Sequence, residues 1–262
     1  MAAPLITLTT DFGLSDHYVG TMKGVILSIC PRARIVDISH GVDAYEIAEA
    51  AFTLAQAYRY YPRGAIHVAV IDPGVGTSRR PILAQAAGQS FIAPDNGVLS
   101  MIYAREKHKV RVISNSRYFL KPTSNTFHGR DIFSPAAAHL ADGVAAAKFG
   151  PLITDYLRLD FDKPTRTGRR AWTGAILKVD RFGNIVTNFS VVDFPDLNKR
   201  HFEMAAGPQR ISAFAHNYAE RGAGELFLIV GSSGYYEISV GQASAAKMLG
   251  CGAGAPLELT LL

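Results

Sequence analysis

The sequence predicts two folds in series: an α/β N-terminal domain with a mostly parallel sheet and helices on both faces, then a smaller all-β antiparallel barrel or sandwich domain. Three observations predict this. Residues 1–160 alternate short β-branched runs with segments of helical periodicity, the pattern of βαβ units. Residues 161–171 (FDKPTRTGRRA) are polar, charged and broken by Pro and Gly, as a linker is. From Trp172 through residue 262 helical periodicity nearly vanishes, and short strands alternate with turn residues.

The elements follow in order. Leu5–Thr9 is a compact apolar strand. Residues 16–29 carry Tyr18, Met22, Val25, Ile26 and Ile29 at helical spacing behind Ser15 as N-cap. Ile35–Ile38 reads as a strand and Glu46–Tyr60 as an Ala-rich helix. Ile66–Ile71 is a β-branched run suited to burial on both faces. Ile82–Ala86 and Ser90–Ala93 form a strand pair. Val98–Arg105 suits a short helix, Val110–Ser114 a strand, and Asp131–Lys148 a long helix. In the second block Ala175–Val179, Ile185–Phe189, Arg210–Phe214, Leu226–Val230, Tyr235–Val240 and Leu257–Leu261 read as strands.

Composition narrows the function classes. Hydrophobic residues are 48% of the 262, enough for a core, and charged residues only 19%, which argues against disorder. No apolar run reaches membrane-spanning length, and strand-like residues begin at Leu5 where a leader would carry its basic and apolar regions. Cys30 and Cys251 are far apart and outside any C-x-x-C, so a zinc site is not supported and the reducing cytoplasm is the expected location. The net charge of +5 could suit nucleic acid, but the densest basic cluster is only Arg166, Arg169 and Arg170, without interleaved aromatics. Neither nucleic acid nor a membrane is the expected partner.

Polar residues collect just after strands, where open α/β sheets bind ligands. Asp11 in TTDFG either accepts both hydroxyls of a ribose or, like Asp16, caps the next helix. Asp72 and Arg79 in DPGVGTSR sit in neither a Walker loop nor a G-x-G-x-x-G, and read as a structural ion pair or a site. His128 in TFHGRD lies where a helix N-terminus disfavours imidazolium and favours an anion. DRFGN at 180–184 and GSSGY at 231–235 are tight turns, or polar groups that reach a ligand.

Six segments in this order resemble the S-adenosylmethionine (SAM) hydroxide adenosyltransferase family, the adenosine-forming SAM hydrolases related to fluorinase and chlorinase. They are TDFG at Asp11, DISH at Asp37–His40, DPGVGTSR at Asp72–Arg79, FHGRD at Phe127–Asp131, DRFGN at Asp180–Asn184 and SSGYYEI at Ser232–Ile238. The resemblance implies a catalytic triad of Asp72, Arg79 and His128, with Asp11 on the ribose and Tyr45 beside it. It implies Asp16, Asp180 and Ser232 around the methionine part, and Phe182, Asn184 and Tyr218 around adenine. It also implies a homotrimer in which the second domain completes a neighbour's site. Halogenating relatives carry Tyr at the position of Asp72, lack the His at 128, and have a long first-domain insertion that this chain lacks. The expectation is therefore displacement of L-methionine from SAM by water or hydroxide, giving adenosine, with no cofactor. A halide-using adenosyltransferase and a non-catalytic nucleoside or SAM sensor are the alternatives.

Overall fold

In the computed structural model, which describes residues 3–262, the chain forms two compact units, one ending at Leu159 and one spanning Asp160–Leu262. The first opens with β1 (Leu5–Thr10), whose last five residues are buried whatever their polarity, as an inner strand covered on both faces must be. Then come α1 (Tyr18–Ile29), β2 (Arg34–Ser39), α2 (Ile47–Ala57) and β3 (Ile66–Val70), the last buried at every position. They are followed by β4 (Pro81–Ala86), β5 (Gln89–Pro94), α3 (Ser100–Arg105), β6 (His108–Val112), α4 (Ser134–Ala141) and β7 (Leu152–Ile153). Met22 and Ile26 of α1, one turn apart, share a core with Ile6 and Leu8 of β1 and with the alanines of α4. The small α4 side chains let that helix lie close to its neighbours.

The sheet order is β2-β1-β3-β5-β4-β6-β7. β2-β1, β1-β3 and β3-β5 pair in parallel, whereas β5-β4, β4-β6 and β6-β7 are antiparallel. The sheet is thus mixed, and the expectation of a mostly parallel one is corrected. The cause is local: Ala87 and Gly88 join β4 to β5 with φ of 53° and 75°, a two-residue turn of positive φ that returns the chain directly instead of through a helix. Two other expectations shift. α1 begins at Tyr18 with His17, not Ser15, at its N-cap. The helix expected over 131–148 is a wide π-turn (Gly129–Phe133), then α4, then a separate 3₁₀ turn (Ala146–Lys148). Pro135 lacks an N–H and sits in the first turn of α4, so the wide turn runs into the regular helix there.

The second unit contains β8 (Thr165–Arg166), β9 (Ala171–Val179), β10 (Ile185–Ser190), β11 (Phe202–Ala206), β12 (Gln209–Ile211), β13 (Leu226–Val230), β14 (Tyr235–Val240) and β15 (Pro256–Leu261). They pair antiparallel in the order β12-β11-β15-β9-β10-β14-β13, with β8 on β9. Beyond β12, Ala215 N–H donates to the Leu228 carbonyl at 2.9 Å and Leu228 N–H donates to the Ala213 carbonyl at 2.9 Å. The sheet is nearly closed on itself, which leaves few unpaired edge groups. The strand expected over 210–214 stops at Ile211, with Phe214 in an isolated bridge to Leu228. β11 and the short α5 (Ala245–Leu249) have no counterpart in the sequence reading.

No helix among the described residues is long and apolar enough to cross a membrane.

Candidate active site

β1 and β3 are parallel neighbours, with Thr10 opposite Val70. Their carboxyl ends therefore deliver Asp11 and Asp72 to the same edge of the sheet. A cavity of about 310 Å³ opens there, and Asp11, Tyr45, Asp72, Thr126, Phe127 and His128 are among its lining residues. Phe12, Tyr18 and Phe127 pack as an aromatic wall, with ring centroids 5.1 to 6.0 Å apart. Sequence reading missed this wall, although Phe12 and Phe127 lie inside the recognised motifs.

Arg79 is the centre of a charged cluster with Asp72 and His128, which line the cavity. Its Nε donates to Asp72 Oδ1 at 2.9 Å, and its Nη2 donates both to Asp72 Oδ2 and, at 2.6 Å, to His128 Nδ1. The Asp72 and Arg79 side chains are only 5% and 9% exposed, so the pair is shielded from solvent screening. The Phe133 ring lies 5.3 Å from the guanidinium carbon. A guanidinium has no lone pair to offer, so His128 Nδ1 must be the acceptor and the neutral ring carries its proton on Nε2. Burial first, and the Arg79 charge second, hold the His128 pKa below the usual histidine value. Neutral imidazole is thus favoured on both grounds.

The loops that carry these groups are pinned together. Gly76 has φ 78°, and a Cβ there would lie 2.3 Å from the Asn125 carbonyl oxygen. Only glycine lets the DPGVG loop approach the segment before His128 this closely. Asp131, fully buried, accepts from Arg130 Nε at 2.6 Å and from Ser124 N–H at 2.8 Å, which ties down the other end of that segment.

Asp11 Oδ2 accepts from the Tyr45 N–H at 2.9 Å. Burial pushes its pKa up, the Tyr45 N–H and its own backbone pull it back, and Asp72 raises it further. Tyr45 has φ 71°, a left-handed conformation that costs a non-glycine residue about 1–3 kcal/mol and tends to occur at binding sites. The residue is 70% exposed.

In the second unit a pocket of about 740 Å³ is lined by Asp180, Phe182, Asn184, Tyr218 and Ser232, together with Glu237. Five sequence-predicted residues thus converge from three separate stretches of chain. Phe182 is 78% exposed and rigidly placed by its turn, in which Asp180 Oδ1 accepts the N–H groups of Phe182 (2.9 Å) and Asn184 (2.8 Å). Asn184 Nδ2 donates to Asp180 Oδ2 at 2.9 Å. Tyr218 Oη donates to Glu237 Oε2 at 3.2 Å. Glu237 was missed. Its signal was a lone acid inside the otherwise apolar and small-residue strand YYEISV.

Asp16 is exposed and lines neither pocket. No group of three or more His, Cys, Asp or Glu side chains positioned for a metal ion occurs among the described residues.

Residues 6–150 match the SAM hydroxide adenosyltransferase N-terminal domain, and residues 174–258 the C-terminal domain. A protein named (R)-S-adenosyl-L-methionine hydrolase from Salinispora tropica is 35% identical over 261 residues, covering 98% of each chain. One of the same name from Thermus thermophilus is 32% identical, covering 95% of this chain and 97% of its own. A fluorinase from an Actinoplanes species aligns over 72% of this chain and 73% of its own, at 28% identity. The crystal structure of a conserved protein from Thermotoga maritima superposes with a TM-score of 0.87 at 35% identity, over 97% of this chain and 99% of that one. With both domain models matched in order and whole-length relatives above 30% identity, the chain belongs to the SAM hydroxide adenosyltransferase family.

Proposed function

We propose that the protein hydrolyses S-adenosyl-L-methionine to adenosine and L-methionine by SN2 displacement at C5′. The observation that carries this reading is the buried guanidinium of Arg79, locked on Asp72 and touching His128, two residues that line the same cavity as Asp11. The oxygen of water or hydroxide forms a bond to C5′ while the C5′–S bond breaks and its electron pair returns to sulfur. The sulfonium becomes a neutral thioether, so the leaving group needs no proton, and the proton lost by water goes to solvent. The reaction needs no cofactor.

The chain's own groups supply position and charge. Asp72 accepts from Arg79 with both oxygens, which suits an orienting group better than a base. Arg79 keeps its Nη1 hydrogens without a protein acceptor among the described residues, while the His128 ring N–H is directed at the Ser124 backbone. The Nη1 donors can hold an anionic oxygen in a shielded cleft, where fixed dipoles are worth more than in water. Correct alignment behind C5′ contributes up to about 7–11 kcal/mol. Asp11 takes the ribose hydroxyls, and the Tyr45 ring covers the sugar.

The pocket of the second unit holds the remainder: Phe182, Asn184 and Tyr218 around adenine, Ser232 and its turn at the amino-acid end. We further infer a homotrimer in which this pocket serves the first-unit cavity of a neighbouring copy. The free thiols Cys30 and Cys251 suit a cytoplasmic setting.

Incubation with SAM in ¹⁸O-labelled water tests the reading. Adenosine carrying the label at its 5′ oxygen is the expected product. Absence of adenosine overturns hydrolysis, and formation of a 5′-halo nucleoside when chloride or fluoride is added identifies a halide-using enzyme instead. Light scattering at a mass other than three chains overturns the trimer.

A further inference from the structure

The DISH segment, Asp37–His40, lines neither pocket, yet its last residue is buried beside the loop that carries Asp11. β1 and β2 run parallel, and their register slips after Leu8: Leu8 faces Asp37, whereas Thr9 faces Ser39. An extra residue in one strand re-aims the side chains that follow it. Here it brings the His40 ring onto Thr10, a fully buried residue.

His40 holds the TTDFG turn at two points. Its Nδ1 lies 2.8 Å from Thr10 Oγ1, and that oxygen accepts the Phe12 N–H at 3.3 Å. Its backbone carbonyl accepts the Gly13 N–H at 2.8 Å. Asp11 sits between these anchors. Its carboxylate accepts from the Tyr45 N–H, which belongs to the same stretch of chain as His40. Behind the ring, His40 Nε2 stands 3.0 Å from Asp37 Oδ1, an electrostatic contact more than a straight hydrogen bond. Asp37 Oδ2 in turn accepts from Lys23 of α1 at 2.7 Å. A carboxylate facing Nε2 places the ring hydrogen there. Nδ1 is then the acceptor for the Thr10 hydroxyl, whose oxygen keeps a lone pair for Phe12. The His40 side chain is 3% exposed, so water competes little for these contacts. A carboxylate that must meet two neighbouring hydroxyls at once needs a backbone fixed to a fraction of an ångström.

We propose that His40 is a positioning residue that, through Thr10, fixes the Asp11 carboxylate for the ribose hydroxyls. This rests on the SAM-hydrolysing reading above, in which Asp11 takes those hydroxyls.

Calorimetric binding of adenosine and of 2′-deoxyadenosine to the full-length wild type, His40→Leu, Thr10→Val and Thr10→Ser tests it. Wild type should prefer adenosine about tenfold, the order of one hydrogen bond to a charged group. In His40→Leu and Thr10→Val the preference should fall to about twofold, with 2′-deoxyadenosine bound about as tightly as by wild type. Thr10→Ser restores the hydroxyl and should restore the preference. A merely structural role would weaken both nucleosides alike and keep their ratio at the wild-type value, which overturns the proposal. A Thr10→Ser that behaves like Thr10→Val overturns it too. Should His40→Leu not fold, the two Thr10 variants decide alone. A wild type that does not distinguish the nucleosides overturns the ribose role of Asp11 and this inference with it. A wild type that forms no adenosine from SAM overturns the underlying function.

Discussion

The two pockets hold opposite charge problems. In the first unit Arg79 neutralises Asp72, and what is left over is donors, on the Nη1 edge of the guanidinium. In the second unit Asp180 accepts from two backbone N–H groups and the Asn184 amide, and what is left over is acceptors, chiefly on Glu237. One keeps hydrogen-bond donors spare and the other keeps acceptors. The comparison teaches that a carboxylate's partners, more than its presence in a pocket, decide what it can bind.

The largest test of this contrast is Arg79→Met, expected to lower kcat about 10³-fold, as loss of a preorganised donor to developing charge does. Arg79→Lys is expected to recover little, since one ammonium cannot reproduce the two-pronged contact with Asp72. Single-turnover measurement of adenosine formation reads both.

Next in size is a divergence in pH stability between the units. His67 is fully buried, accepts from Thr7 Oγ1 at 2.7 Å and faces Gln89 Oε1 at 3.3 Å through Nε2. Gln89 is itself fixed as an acceptor there, because its amide nitrogen donates to the carbonyls of Tyr58 and Tyr61. Burial therefore pushes the His67 pKa down from 6.5 to about 4. The unfolded chain binds a proton in that window and the folded one does not, so stability falls as pH drops from 6.5 to 4, by about 3 kcal/mol in all. Glu237, with its pKa raised, acts with the opposite sign: its folded form holds a proton longer, so its ionisation weakens the fold as pH rises. Hydrogen exchange resolved by segment should show protection around β1 and β3 falling as pH drops from 7 to 5, while β14 is spared. Uniform loss in both units would sink the contrast, and His67→Gln should flatten the first trend.

His128 comes third. His128→Asn is expected to lower kcat about 10²-fold. The wild-type acid limb should lie below pH 6.5, because the ring must stay unprotonated to accept from Arg79 and its pKa is lowered. A pH profile of kcat/KM with an acid limb above 6.5 would contradict the neutral tautomer. The smallest effect is Asp180→Asn, which removes charge from a turn rather than from a free binding site, and should cost about 1 kcal/mol in thermal unfolding.

The sequence made much of this legible. The motif segments delivered Asp11, Asp72 and His128 to one cavity, with Arg79 bonded to the last two, and Asp180, Phe182, Asn184, Tyr218 and Ser232 to another. Tight turns and strand ends carry these residues, and short polar signals survive in sequence. Asp16, on an exposed stretch before α1, joined neither group. Glu237 escaped because strand periodicity assigns a face but not what surrounds it. The antiparallel half of the first sheet escaped because apolar runs do not state strand direction, which the Ala87–Gly88 turn sets.

By itself the sequence determined the two-part division into an α/β block and a β block, the buried strands, and the residue types available for chemistry. These follow from local periodicity and composition, which act within a few residues. Only the tertiary structure decided strand order, the tautomer of His128, and which carboxylates keep free acceptors. Those depend on contacts between residues far apart in sequence, as Ala171 and Thr260 of the paired strands β9 and β15 are, and no local pattern encodes them.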